Sequence, residues 1–168
     1  MNKILKVFTV LVLVLISTGT FAQEAKFMSA FLYQFGRIMD FPAKGDSFVI
    51  GIYGDSPVSG YLEKIADIKT INDQKIIVRK ISSAGEASKC QILFIPQNGS
   101  NSLDEIKGLV SGKGTLIVTE ETDLIKKGAG VSFVKVGDKI LFELNKESIG
   151  ASGLKSSLSL ERIAHKVY

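Results

Sequence analysis

The sequence has few of the residues that build disulfide-linked or metal-stabilised folds. Its 168 residues include one cysteine, Cys90, and one histidine, His165. A single thiol cannot form an internal disulfide, and one His with one Cys does not supply the paired ligands of a zinc site. Because Cys90 begins an apolar run, we expect a buried, unreactive thiol. We therefore expect no disulfide, no bound metal and no cofactor.

A strong excess of positive charge is also missing. The formal net charge of the whole sequence is +4, and it falls to +2 without residues 1–22, which contain Lys3, Lys6 and no acid. The remaining basic residues are scattered, and no basic stripe with interleaved aromatic residues is present. Nucleic-acid binding needs such a stripe or patch. We therefore exclude DNA and RNA as partners.

One long apolar run is present, at the amino terminus. A basic start is followed by the run Val7–Ile16 and by small residues, with Thr20 and Ala22 at the −3 and −1 positions of a cleavage site. The run is shorter than the ~20 apolar residues that span a membrane, and no cysteine follows it for lipidation. The pattern predicts a signal peptide over residues 1–22 and one exported domain over residues 23–168.

Helical and strand patterns alternate along the predicted domain. We predict helices at 24–39, 58–67 and 102–110, a short helix after Asn145 and a last helix at Lys155–Val167. Predicted strands are Ser47–Tyr53, Lys75–Ile81, Gln91–Ile95, Gly114–Thr119, and a hairpin of Gly130–Val136 and Lys139–Leu144. Alternating strands and helices favour a parallel sheet covered on both faces. The predicted fold is α/β: a single three-layer domain, mostly parallel, with an antiparallel edge hairpin and a preceding N-terminal helix.

Two places suggest ligand binding. Asp55 and Ser56 follow the first predicted strand, where open α/β sheets bind ligands, although the sequence favours ordinary turn and cap residues at these positions. Arg162 and His165 are three positions apart on the last predicted helix, so both can project from one face. The pair would suit an anionic or aromatic ligand, and a solvated helix surface is the alternative.

Catalysis has little support. Ser152-Gly153-Leu154-Lys155 matches S-x-x-K, in which a lysine one helical turn away takes the serine proton. The companion S-D-N-like and K-T-G elements of that enzyme class are missing. No carboxylate pair or nucleophile–base pair stands out either. We therefore predict no catalytic residue and a protein that is not an enzyme.

The first predicted helix is apolar around more than one face. Helices of that kind are either fully buried or part of an interface. We expect part of this helix to pack against a second copy or a membrane-protein partner. The predicted interface residues are Phe27, Phe31, Tyr33, Phe35 and Phe41.

Several segments, in order, resemble the YfiR family of periplasmic proteins. They are Ala30–Phe35 (AFLYQF), Asp40–Pro42 (DFP), Phe48–Pro57 (FVIGIYGDSP), Cys90–Ile95 (CQILFI), Lys139–Asn145 (KILFELN) and Leu154–Leu158 (LKSSL). Together they span nearly the whole predicted domain. Two features depart from the family pattern. The lone Cys90 cannot reproduce the internal disulfides and redox control of some members, and Phe41 stands where Trp is common.

The resemblance implies a periplasmic α/β domain, often dimeric, that restrains an inner-membrane signalling protein. In the family's named case that protein is a diguanylate cyclase, so the output is cyclic-di-GMP. It also implies a small ligand near the C-terminal helix, which favours Arg162 and His165. We therefore predict a homodimeric periplasmic regulator of a cyclase or sensor kinase, modulated by a ligand. The alternative is a solute-binding module for an envelope system, and an envelope hydrolase using Ser152 ranks third.

Overall fold

The computed structural model describes residues 22–168, so the predicted signal peptide lies outside the described residues except for Ala22. Helix α1 covers residues 22–38. The other helices are α2 Val58–Ala66, α3 Leu103–Val110, α4 Lys146–Ala151 and α5 Leu158–Ile163, with 3₁₀ segments at Ala84–Lys89, Gln97–Ser102 and Thr122–Lys127. The strands are β1 Ser47–Tyr53, β2 Thr70–Ile71, β3 Gln74–Ile81, β4 Ile92–Ile95, β5 Leu116–Thr119, β6 Val131–Val136, β7 Lys139–Leu144 and β8 Lys166–Val167. No helix among these residues is long and apolar enough to cross a membrane.

The described strands form one mixed sheet in the order β2-β3-β1-β4-β5-β6-β7-β8. The pairs β1–β3, β1–β4, β4–β5, β5–β6 and β7–β8 are parallel, and the two hairpins, β2–β3 and β6–β7, are antiparallel. After β1 the chain adds β3 on one side and later β4 on the other. The strand order therefore reverses at β1 and β4, which is where open α/β sheets form a ligand crevice.

Apolar side chains cover both faces of the sheet, which confirms the α/β fold class. Helices α1 and α2, with Ile149 of α4 and Leu160 of α5, pack on one face. The 3₁₀ segments around Ala87 and Leu124 and helix α3 pack on the other face. Successive strand residues point to opposite sides of a sheet, so the continuous apolar strands supply both clusters. The result is three layers.

Helix α1 packs across the sheet, and its aromatic rings contact those of β6 and β7. Ala25, Met28, Leu32, Phe35 and Met39 are buried at i, i+3/i+4 spacing. Phe35 contacts Phe142 at 5.0 Å between ring centroids in an edge-on arrangement. Proline at position 42 favours an end to the helix shortly before it, because the residue before proline is pushed out of the helical region. The predicted helix and its end are therefore close to the observed ones.

The segment between α1 and β1 is fixed by a lysine. Lys44 Nζ donates to the carbonyl oxygens of Ser88, at 3.0 Å, and of Cys90, at 2.6 Å, and to Thr115 Oγ1, at 2.7 Å. Burial lowers the pKa of Lys44 to about 8. Cys90 itself is fully buried, and burial raises the pKa of its thiol to about 11. The burial that the sequence predicts for Cys90 is confirmed, and its low reactivity stays a prediction.

The last predicted helix, Lys155–Val167, is wrong in its length. Ser157 caps α5 by accepting from the Leu160 amide, and the helix ends at Ile163. Ala164 is extended, and Lys166–Val167 pair in parallel with Glu143–Leu144 of β7. Strand β8 therefore lies outside β7, so the predicted edge hairpin is one strand in from the edge.

Candidate functional site

A groove opens where the strand order reverses. It lies past the carboxyl ends of β1, β4 and β5 and has a volume of about 440 Å³. The loop after β1 leads to α2 on one face of the sheet, and the loop after β4 leads to α3 on the other. We call it the switch-point groove; its lining residues are Asp55, Ser56, Pro57, Pro96, Gln97, Asn98 and Glu120.

Two glycines bring the loops of the switch-point groove together. Gly54 has φ +82°, a left-handed conformation that glycine adopts without the strain a side chain causes. A Cβ at Gly99 would lie 2.9 Å from Tyr53 Cδ1, so only glycine lets this loop approach β1. Asn98 Nδ2 then donates to the carbonyl oxygen of Asp55 at 3.3 Å. This hydrogen bond, from a side chain to a backbone carbonyl, joins the two walls of the groove.

Carboxylates and amides make up the polar surface of the groove. The backbone amide of Gln97 donates to Glu120 Oε2 at 2.9 Å. Lys80 Nζ donates to Asp55 Oδ1 at 2.5 Å, and both side chains are mostly exposed. The Ser56 hydroxyl accepts from the Val58 amide at 3.3 Å. Both residues predicted from the sequence, Asp55 and Ser56, therefore line this groove.

The other polar residues of the groove escaped prediction. Gln97 and Asn98 belong to a 3₁₀ segment after β4, and Glu120 follows β5. Their shared signal is position, since each lies within three residues of the end of a buried strand. Parallel strands place such residues at one edge of the sheet. Which of them face one another depends on strand order, and sequence patterns do not give that order.

A second hollow of about 260 Å³ continues from the groove towards the start of α1. It shares Gln97 and Glu120 with the groove. At its far end Lys135 Nζ donates to Glu24 Oε1 at 2.6 Å, and this hydrogen bond raises the pKa of Lys135. The ion pair joins β6 to α1.

The predicted interface residues of α1 occupy three kinds of environment. Phe27 is 48% exposed, whereas Phe35 is fully buried. Phe31 is half-buried and contacts the rings of Phe133 and Phe142. Phe35 has no exposed surface that a partner could contact, so its assignment to an interface is wrong. The residue belongs to the protein's own core. The apolar residues around more than one face of α1 predicted an interface at Phe35. The sequence does not show how much of the helix surface the sheet covers.

The remaining two predicted interface residues lie near the C-terminal end of α1. Half-buried Tyr33 carries the Arg37 guanidinium 5.7 Å from its ring centroid. Phe41 packs edge-on against Phe48 of β1 at 5.2 Å. Both are partly exposed, and both also stabilise the domain.

A wider hollow of about 860 Å³ lies beside Tyr33 and Arg37, between the C-terminal ends of α1 and α2. It is wide and open. Exposed polar side chains such as Lys69 and Asp73 form most of its lining. A ligand there would keep much of its surface in water, whereas most small-molecule sites enclose their ligands. We therefore assign it no role.

Arg162 and His165 are not on one helical face, contrary to the prediction. Arg162 is on α5, but His165 comes after the helix ends, and its backbone amide donates to the Phe142 carbonyl at 2.8 Å. Both side chains are exposed. The tertiary pairing of β8 with β7 overrides the helical pattern here.

The S-x-x-K serine lies in a structural position. Ser152 is buried, and its hydroxyl donates to the Ser148 carbonyl at 3.1 Å, one turn earlier. A nucleophile needs a neighbouring base, whereas the Ser152 hydroxyl donates to a backbone oxygen. Within residues 22–168, no group of three or more His, Cys, Asp or Glu side chains is placed to hold a metal ion.

Comparison with known proteins places this fold in a family. A family model described as YfiR/HmsC-like matches residues 25–165. No curated protein matches the chain. A crystal structure described as the ABC domain in complex with L-Trp from Streptococcus pneumonia aligns with a TM-score of 0.51 at 13% identity, over 72% of this chain and 55% of that chain. The chain thus spans about half of that structure, and the likeness concerns the fold alone. The family model confirms the resemblance noted in the sequence: the chain belongs to the YfiR/HmsC-like family.

Proposed function

We propose that this protein restrains an inner-membrane signalling protein, a diguanylate cyclase or a sensor kinase, by docking through the start of helix α1. The family comprises periplasmic regulators of cyclic-di-GMP signalling, regulatory rather than catalytic in kind. The observation that carries the proposal is Phe27. Its ring is 48% exposed, on a helix whose other large apolar residues are buried or half-buried.

The surface around Phe27 has the composition of a docking site. Phe27 lines a hollow of about 250 Å³ with Ile140 of β7, and Glu24, Lys135 and Asp138 form its charged rim. Protein interfaces commonly place an aromatic anchor within a polar rim. We call the apolar pair of Phe27 and Ile140 with this rim the Phe27 surface. The occupant we propose is a periplasmic segment of the membrane protein.

The test removes the anchor and leaves the core intact. If the partner is a cyclase, deletion of the gene in the source organism should raise cellular cyclic-di-GMP, measured by mass spectrometry of extracts, because the cyclase is no longer restrained, and the wild-type gene should restore the original level. Phe27→Asp should fail to restore it at normal protein level. Ile68→Asp is the matched control, because Ile68 is 76% exposed and lies after α2 at another part of the surface. Restoration by Phe27→Asp would contradict docking through this surface.

The partner's identity is tested by crosslinking. A photo-crosslinking amino acid at position 27 should capture one inner-membrane protein with a cyclase or kinase domain, identified by mass spectrometry. The same group at position 68 should not capture it. A homodimer through the Phe27 surface is the competing use of this residue. It predicts capture of a second copy instead, and a dimer in sedimentation analysis that Phe27→Asp dissociates.

The switch-point groove favours a second candidate function, a solute-binding module that delivers a small molecule to an envelope system. The two candidates differ in their genetic outcome. If the protein delivers a solute, deletion of its gene should impair growth or signalling on that one solute. The Phe27→Asp variant should then function like the wild type. A hydrolase that uses Ser152 has no support from the structure, because the Ser152 hydroxyl donates to the Ser148 carbonyl.

A further inference from the structure

Strand β3 has a partner strand along only a small part of its outer side. There β2 pairs with it at Gln74 and Lys75, and the chain before β2 turns back into α2. On the inner side, β3 pairs with β1 in unbroken register from Lys75 to Ile81. Residues 76–81 therefore form an open edge of the sheet, which we call the β3 edge.

The hydrogen bonds to β1 show which backbone groups of β3 point outwards. The Gly54 amide donates to the Ile81 carbonyl at 2.9 Å, so the backbone groups of Ile81 point towards β1. This direction alternates along a strand, and the amides and carbonyls of Ile76, Val78 and Lys80 therefore point away from β1. Within residues 22–168, no strand lies beyond this part of β3 to pair with them. An edge of this kind is a template for another strand.

The side chains of the β3 edge are apolar in its middle and basic beyond it. Ile77 and Val78 are half-buried on opposite faces of the sheet, and Arg79 and Lys80 are exposed. Lys80 is paired with Asp55, whereas Arg79 forms no ion pair with any residue that the structure describes. A strand added here would gain apolar contacts on both faces and would meet an unpaired cation on the Ile77 face.

A second copy of the β3 edge would bring like charges together. Two copies related by a twofold axis would pair as antiparallel strands. If Val78 lies opposite Val78, the two Arg79 side chains are diagonal neighbours. A shift by two residues places Arg79 directly opposite either Arg79 or Lys75. Like charges across a strand pair are destabilising, so the basic residues disfavour self-association and favour an acidic strand.

We propose that the β3 edge binds an extended segment of another protein by strand addition. The segment has acidic side chains along the Arg79 face and apolar side chains along the Val78 face. It runs antiparallel to β3, which is the direction of β2 at the same edge and the more stable pairing. Main-chain hydrogen bonds supply affinity, and the alternating side chains supply specificity. The Phe27 surface lies near β7, towards the other end of the sheet, and plays no part in this inference.

The first experiment measures peptide binding by fluorescence anisotropy. The probe is a labelled peptide of about six residues, a common strand length, in which glutamate and valine alternate. We expect saturable binding to the purified protein. A peptide of alternating lysine and valine should bind at least about tenfold more weakly, because its charges repel Arg79.

Amide hydrogen exchange, followed by NMR, tests the backbone pairing directly. In the free protein, the amides of Ile76, Val78 and Lys80 should exchange faster than those of Ile77 and Arg79, which point towards β1. The glutamate–valine peptide should slow the first group. Exchange that is already slow in that group would contradict an open edge.

N-methylated peptides separate strand addition from charge attraction alone. In the antiparallel pairing, a peptide valine lies opposite Val78 with its amide towards β3, and the glutamate amides point away. N-methylation of the valines should therefore abolish binding. N-methylation of the glutamates should preserve it.

Two variants of the protein test the two parts of the site. Val78→Pro removes an outward amide without removing a hydrogen bond to β1, and proline is tolerated on edge strands. It should weaken peptide binding by about tenfold or more. Arg79→Glu should also weaken it. The matched control is Lys126→Glu, which reverses an exposed charge in the 3₁₀ segment beside β6 and should leave the affinity unchanged.

Several results would overturn the proposal. They are absence of binding, equal binding of the acidic and basic peptides, binding that survives N-methylation of the valines, and an unchanged affinity in Arg79→Glu. A dimer in sedimentation analysis that Val78→Pro dissociates would also overturn it, because a second copy would then occupy the β3 edge. If Val78→Pro does not fold, the N-methylated peptides still test the backbone pairing. None of these results bears on the Phe27 surface.

Discussion

The phenylalanines of helix α1 divide into core and surface residues, and truncation should separate the two groups. Phe35 has no exposed surface, and its ring contacts those of Phe31, Phe133 and Phe142 at centroid distances of 5.0 to 6.2 Å. Phe27, two turns earlier, is 48% exposed. Replacing each by alanine makes the same chemical change in two environments.

The magnitude follows from the burial of Phe35. Truncating a buried phenylalanine removes its transfer free energy and leaves a cavity, a loss of about 3–5 kcal/mol in the free energy of unfolding. The aromatic neighbours on three sides restrict collapse of the cavity, so we expect about 4 kcal/mol for Phe35→Ala. A domain of this size loses about 3 °C of Tm per kcal/mol, so Tm should fall by about 12 °C. Phe27→Ala should cost less than about 1 kcal/mol.

Urea unfolding followed by far-UV circular dichroism measures both variants against the wild type. The m-values should stay equal, because the exposed area on unfolding is nearly the same. Equal losses in the two variants, or a larger loss for Phe27→Ala, would refute the assignment of these residues. Either result would mean that α1 is rotated about its own axis, so that a different face packs on the sheet.

Three further results are expected. Gly51→Ala should lower the free energy of unfolding by about 1–3 kcal/mol through overpacking, because the new Cβ would lie 2.7 Å from Cys90 Sγ. Gly60→Ala, at an open position of α2, should instead raise it by up to about 1 kcal/mol in the same unfolding assay. The Cys90 thiol, buried and with its pKa raised to about 11, should react with Ellman's reagent at pH 8 only after denaturation, and fast labelling of the native protein would contradict its burial. Burial lowers the pKa of Lys44 to about 8, so above that pH the unfolded chain holds more protons than the native protein. The free energy of unfolding of the wild type should therefore rise relative to that of Lys44→Met between pH 7.5 and 9. Parallel plots of unfolding free energy against pH for the two proteins would argue against this burial.

The order of elements was open to sequence reasoning, but their exact ends were not. A continuous apolar run such as Ile92–Ile95 predicts a buried strand, and the Gly137-Asp138 pair predicts a hairpin turn, because both patterns are local in the sequence. The two-residue strand Thr70–Ile71 was missed because it is too short for a period to show. It exists through pairing with β3 across Asn72 and Asp73, both at positive φ.

The groove was only half predictable for the same reason. Asp55 and Ser56 were identified because they follow an obvious strand and precede a helix. Glu120 follows a strand just as buried, yet nothing local shows that β5 lies next but one to β1. Strand order is a property of the assembled sheet. Hydrophobic patterns therefore indicate the edge of the sheet at which the groove opens, but not which loops share the groove.

The packing of α1 also determines when the domain can complete its fold. Glu24 and Lys135, which form an ion pair, are 111 positions apart in the chain, and Phe31 rests on the ring of Phe142 from the late hairpin. Contacts between such distant segments form slowly, because the loop between them must close first. Until β6 and β7 exist, the aromatic face of α1 has no partner within the domain and is open to aggregation. Folding should therefore be slow, and the chain should be most prone to aggregation before the late hairpin has formed.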